Sequence, residues 1–164
     1  MAKIQFLDTS AAFALRVKQL QDRLAEQMED AMAQFGLGIA GKTTGIVQLL
    51  YSEGPASTAQ IAQRLRYSHQ LAAQRLSWLL EHGMAIADAD KNDRRRQIIK
   101  LTKRGLAQAE KLQRFLPQLR DAYADLFEEL GFDLDAAIVQ ANSALDATPL
   151  TVRFSKRASG SKGV

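Results

Sequence analysis

The chain contains no cysteine. Disulfides, thiolate zinc sites and thiol-based redox sensing are excluded, and the absence fits a reducing compartment. Histidine is scarce as well: His69 and His82 stand alone. On one helix they lie about three to four turns apart on different faces, so they cannot share a metal. No Gly-rich phosphate loop follows a strand pattern. The spacing Gly36-x-Gly38-x-x-Gly41 comes after a helical stretch and reads as a linker. With so few nucleophile and base pairs, neither catalysis nor a cofactor or metal is expected.

Glycine and proline are sparse, at 10 and 3 in 164 residues, which favours helices. No apolar run approaches the length that crosses a bilayer, and the N-terminus lacks the unbroken apolar segment of a signal peptide. A cytoplasmic protein without membrane contact is expected. The formal charge of +4 is too small to establish a nucleic-acid partner by itself. Its placement says more. Between Arg64 and Arg104 there are ten bases against Glu81, Asp88, Asp90 and Asp93, while acids gather from Asp121 to Asp135.

The basic region coincides with the most structured pattern in the chain. Ser57-Thr58-Ala59-Gln60 fits a capping box, followed by the apolar face Ile61, Ala62 and Leu65. Ser68 offers a second N-cap, and Ala72, Leu76, Leu79, Leu80 and Gly83 follow at the spacing of a helix that buries one side. Its other side carries His69, Gln70, Ala73 and Gln74. Two such helices joined by a short turn are what a helix-turn-helix presents to a major groove. Beyond Gly83 the period changes towards alternation, with Met84 and Ile86 before a polar run and Ile99 and Leu101 after it. A hairpin tipped by Lys91, Asn92, Asp93, Arg94, Arg95 and Arg96 is predicted. Three adjacent arginines at such a tip call for a nearby anion, and a phosphate backbone or a narrow minor groove supplies one. The plainer reading is a solvated charge run.

Long amphipathic helices flank this region. Phe13, Val17, Leu20, Leu24, Met28, Met32 and Phe35 make one stripe, and Leu106, Ala109, Leu112, Leu116, Leu119, Tyr123, Leu126 and Leu130 another, with Pro117 inside it as a kink. A last helix starts at Asp133 and turns Leu134, Ile138, Ala141 and Leu145 inwards. These faces exceed what one small domain can hide, so a two-fold homodimer is the economical solution, with a closed monomeric bundle as the alternative. The division expected is 1–38 for an N-terminal dimerisation helix, 39–105 for the central domain, 106–146 for C-terminal dimerisation helices and 147–164 for a flexible basic tail. That tail either adds phosphate attraction or contributes little.

The run Leu79-Leu80-Glu81-His82-Gly83, then Asp93-Arg94-Arg95-Arg96, then Leu101-Thr102-Lys103-Arg104-Gly105 resembles the multiple-antibiotic-resistance-regulator (MarR) family of winged-helix transcription factors. The likeness covers roughly residues 9 to 146, and its specific part is an Asp and an Arg two apart, followed by Leu-Thr-x-x-Gly. It implies a mainly α fold with a small β wing, a winged helix-turn-helix between N- and C-terminal dimerisation helices. It also implies a dimeric transcriptional repressor of a pseudo-palindromic operator, released by a small aromatic ligand. A winged-helix module that binds protein without reading DNA is the alternative.

On the DNA reading, Gln70 and Gln74 pair with base edges, His69 donates to a purine N7, and Ala73 meets a thymine methyl. Ser57 and Ser68, at helix N-termini, hold phosphates. Arg94 enters the minor groove, Arg96 and Lys91 take phosphates, and Asp93 pairs with Arg95 to stiffen the wing. Arg75 makes either a phosphate contact or an internal salt bridge. Phe13, Phe35, Trp78 and His82 are the candidates for a ligand cavity, against the alternative that the two Phe are core and Trp78 packs on a neighbouring helix.

Overall fold

The apolar spacing from residue 13 is realised as α1 (Phe13–Gln34), approached through a 3-10 turn at Ser10–Ala12 and followed by Gly36 at φ 75°. The computed structural model describes residues 9–89 and 97–160, with side chains through 155. The hairpin tip, including Lys91, Asp93, Arg94, Arg95 and Arg96, lies outside the described residues. Burial along α1 is graded. Phe13, Val17 and Leu20 are exposed, Leu24, Met28 and Phe35 half-buried, and Met32 buried.

A second 3-10 turn, Gly41–Thr43, leads into α2 (Thr44–Glu53). Thr43 is buried and its Oγ1 donates to the Ala40 carbonyl at 2.6 Å, while Thr44 Oγ1 donates to that of Gly41 at 2.8 Å. Both are helix-start residues. Ile46, Val47, Leu49 and Leu50 face inwards, and Gly54 at φ 85° ends the helix. Next come β1 (Ala56–Ser57), α3 (Thr58–Arg64) and α4 (His69–Glu81), then β2 (Ala85–Ala89) and β3 (Gln97–Leu101).

The hairpin pairs Ala85 with Leu101 and Ala89 with Gln97, antiparallel. β1 joins as a third strand, pairing Ala56 with Ile99 and Ser57 with Ile98, in the order β1-β3-β2. Its two residues are too few to show alternation, and no reading of local pattern finds it. Ile61, Ala62, Ala72, Leu76, Leu79, Met84 and Ile99 are all buried around this sheet. Leu80, expected inside, is instead exposed, because it sits one residue round from Leu79 and off the buried face.

The helix α5 (Lys103–Leu130) runs through Pro117 without ending. Two units divide the chain, one ending at Leu116 and the other beginning at Pro117. In the first, Ala109, Leu112 and Phe115 are buried, and Phe115 meets Phe35 with ring centroids 5.5 Å apart. Such an aromatic pair contributes about 0.5–1.5 kcal/mol beyond its area. In the second, Gly131 at φ 73° follows α5, and Asp133 caps α6 (Leu134–Ala147) by accepting from the Ala136 N–H at 2.9 Å. No residue of α6 is buried, and Ile138, Val139 and Leu145 stand open.

The expected tail from residue 147 is corrected by α7 (Leu150–Gly160). Pro149 precedes it and its carbonyl accepts from the N–H groups of Val152 and Arg153. The Arg153 guanidinium donates to the carbonyls of Ala144 at 2.8 Å and Thr148 at 2.9 Å, closing the end of α6. A base bonded to the last carbonyls of one helix thus fixes the start of the next.

Candidate nucleic-acid interface

The capping box at Ser57 is formed in both directions. The Gln60 N–H donates to Ser57 Oγ at 3.3 Å, and the Ser57 N–H to Gln60 Oε1 at 2.9 Å. Ser57 is only 5% exposed. Its expected place on the surface as a phosphate contact is therefore corrected: the hydroxyl is used to start α3.

After α3 the chain turns through Arg66, a non-glycine residue at φ 53°, and the Tyr67 N–H donates to the Ala62 carbonyl at 2.8 Å. Ser68 then caps α4, its Oγ accepting from the Leu71 N–H at 3.1 Å. Unlike Ser57, Ser68 is exposed. Ala72, Leu76 and Leu79 bury the inner face of α4, and His69, Gln70, Ala73 and Gln74 are all exposed on its first two turns. At about 100° per residue these four span roughly 140° of the helix, one continuous surface.

Arg75 has a role that neither sequence alternative supplies. Its guanidinium lies 4.3 Å above the Tyr67 ring, a cation–π contact that fixes the side chain beside the exposed amides. Tyr67 falls in the inter-helix turn, where no periodicity points to it. Other bases of the region are also engaged. Arg64 pairs with Glu53, Lys100 with Asp88 across the hairpin, and Arg104 donates to the His82 carbonyl at 3.2 Å. Exposed pairs like the first two contribute about 0–1 kcal/mol and chiefly hold side-chain direction.

The four candidates for a ligand cavity are not gathered within one chain. Phe13 and Phe35 mark opposite ends of α1, about 33 Å apart at 1.5 Å per residue. Phe35 packs on Phe115, while Trp78 stacks on His82 at 3.9 Å and 13°. The His82 Nδ1 lies 2.8 Å from the Trp78 carbonyl, so the ring donates there. Among the described residues there is no cluster of three metal-ligating side chains, and no helix is long and apolar enough to cross a membrane.

No protein-family model and no curated relative matches the sequence. Solved structures do. The heme sensor protein PefR from Streptococcus agalactiae, in complex with heme, is similar at a TM-score of 0.59 and 16% identity, over 85% of this chain and 95% of that one. The transcriptional regulator BldR from Sulfolobus solfataricus is similar at 0.58 and 16%, over 88% and 99%. The fold is a winged helix. The YusO protein from Bacillus subtilis shares it at a TM-score of 0.52 and 18% identity, over 88% and 98%. In this winged helix α3 and α4 form the helix-turn-helix, β2 and β3 the wing, and β1 the third strand that seats the wing beside α3.

Proposed function

We propose that this winged helix is a dimeric, sequence-specific DNA-binding transcriptional regulator of the MarR family. It represses a pseudo-palindromic operator and is released from it by a small aromatic ligand. The observation that carries the reading is the first half of α4. Its inner face is fully packed, its N-terminus is capped by Ser68, and His69, Gln70, Ala73 and Gln74 stand exposed together. A helix so held loses little further freedom on entering a groove, and an amide can bond bidentately to adenine. The similar folds of named regulators support the same reading. The exposed apolar residues of α1 and, separately, of α6 support a second copy as partner.

Selection of bound duplexes from a random pool tests the proposal. The expected product is an inverted repeat whose half-sites lie about 34–36 Å apart, one turn of duplex. Retained self-association with no enriched sequence would instead indicate a protein-binding module. On the selected duplex, Gln74→Ala is expected to relax preference at one base pair at a cost of about 1–3 kcal/mol, whereas Arg94→Ala weakens all sequences alike and lowers the salt slope by about one unit. Titration across a range of ionic strengths separates the two. Unchanged affinity and slope in Arg94→Ala would remove the wing from the interface. A panel of small phenols, scored by dissociation of the complex, tests ligand release.

A further inference from the structure

The end of α4 and the start of α5 are bonded directly, across the hairpin that separates them in sequence. Thr102 makes most of the connection. Its N–H donates to the Met84 carbonyl at 3.0 Å, its Oγ1 donates to the Gly83 carbonyl at 2.8 Å, and the same Oγ1 accepts from the Gly105 N–H at 3.0 Å. Arg104 adds the His82 carbonyl. The carbonyls of the three residues that follow α4, His82, Gly83 and Met84, are therefore all bonded at the start of α5, by Arg104 and by its N-cap Thr102, the Met84 bond continuing the β2–β3 ladder by one pair. Met84 and Gly83 are tied back to α4 through the Leu79 and Leu80 carbonyls, at 2.8 and 3.0 Å.

The same stretch of α5 is anchored on the side of α1 and α2. Lys111 Nζ donates to the Gly36 carbonyl at 3.0 Å, the Gly38 N–H to Gln108 Oε1 at 2.7 Å, and Gln113 to Gln48. Phe115 packs on Phe35. The first half of α5 is thus a bar bonded at one end to the C-terminus of α4 and farther along to the segment that leaves α1.

We infer that Thr102, Arg104 and Gly105 form a latch through which α5 positions α4, so that a displacement of α5 is delivered to the groove-reading helix. The hydroxyl is central because it spans two backbone groups, accepting from Gly105 and donating to Gly83. A side chain that only fills the space leaves α4 held by its apolar face, about which it can rock. Regulation then needs no ligand contact with α4 itself. The inference rests on the DNA reading for its affinity arm alone.

Thr102→Val removes the hydroxyl at nearly constant volume, and Thr102→Ser keeps it. Because the chain has no cysteine, cysteines placed at Ser77 and Glu110 can carry spin labels that report the α4–α5 distance in the full chain without DNA. Thr102→Val is expected to broaden that distance distribution and to weaken the selected duplex about tenfold, as suits the loss of two hydrogen bonds, while Thr102→Ser leaves both unchanged. Should Thr102→Val not fold, Arg104→Met, at an exposed position, gives the same broadening to a smaller degree. A distribution as narrow in Thr102→Val as in the parent overturns the latch, as does equal broadening in Thr102→Ser. Broadening without loss of affinity supports the latch and overturns the groove assignment of α4.

Discussion

Gly105→Ala is expected to destabilise the protein by about 1–3 kcal/mol, whereas Gly38→Ala leaves stability unchanged or raises it slightly. Intrinsic propensity predicts the reverse for Gly105. It lies in the first turn of α5, where alanine is favoured over glycine by about 1 kcal/mol in a helix interior. Steric contact decides the sign. A Cβ at Gly105 would lie 1.9 Å from the Met84 carbonyl oxygen and 2.9 Å from its carbon. Those are backbone atoms, fixed by the Thr102 N–H and by the hydrogen bond of Met84 to Leu79, so no side chain can swing aside. Either α5 or the turn at Gly83 must move. At Gly38 the nearest atoms are the far end of Gln108, at 3.7 Å, an ordinary contact. Urea denaturation with both variants reads the difference in midpoint at constant slope. A Gly105→Ala midpoint at or above the parent's would show that the approach of α5 to the turn is looser than the structure has it.

That glycine illustrates what the sequence does and does not disclose. Leu101-Thr102-x-x-Gly105 is legible as a signature, and Thr102 as a cap, because capping needs only three residues of context. Why the glycine is required depends on Met84, which is far off in the chain. The same division runs through the rest of the fold. The caps at Ser57 and Ser68, the inner face of α4 apart from Leu80, and the two strands of the hairpin are local, and the structure has them where the pattern predicts. β1 is non-local: two residues acquire their identity from Ile98 and Ile99. The Arg75–Tyr67 stack depends on how a turn folds back on a helix. For α7, the Ser, Gly and Lys content suggested a tail, yet the helix is set by Pro149 and by Arg153 bonding to carbonyls of the preceding helix. Ser57 is legible as a cap, but its burial is not, since a pattern of four residues carries no information about burial. That the four cavity candidates do not meet within one chain has a plainer cause, the length of α1.

Replacing Phe13 and Val17 together by glutamate is expected to convert a dimer into a monomer and to lower affinity for an inverted repeat by about 10²- to 10⁴-fold, the advantage that linking two binding events confers. The two positions are one helical turn apart on the same face of α1 and are 64% and 47% exposed, although Met32 on the same stripe is 1% exposed. Within the chain the stripe is thus covered at one end and open at the other. Burying side chains of this kind contributes about 1.5–3 kcal/mol each, and a two-fold contact counts every one twice. Glutamates there bring like charges towards their own copies while leaving the packed core of the winged helix untouched, so far-UV circular dichroism should be preserved. Lys18→Gln is the control: Lys18 follows Val17 directly in sequence, about 100° further round the helix, and pairs with Asp22, and its loss should change neither assembly nor binding. Sedimentation equilibrium supplies the readout. A double variant that sediments as the parent does would place the pairing surface elsewhere, and a parent that is itself monomeric at the concentrations of DNA binding would end the two-half-site reading altogether.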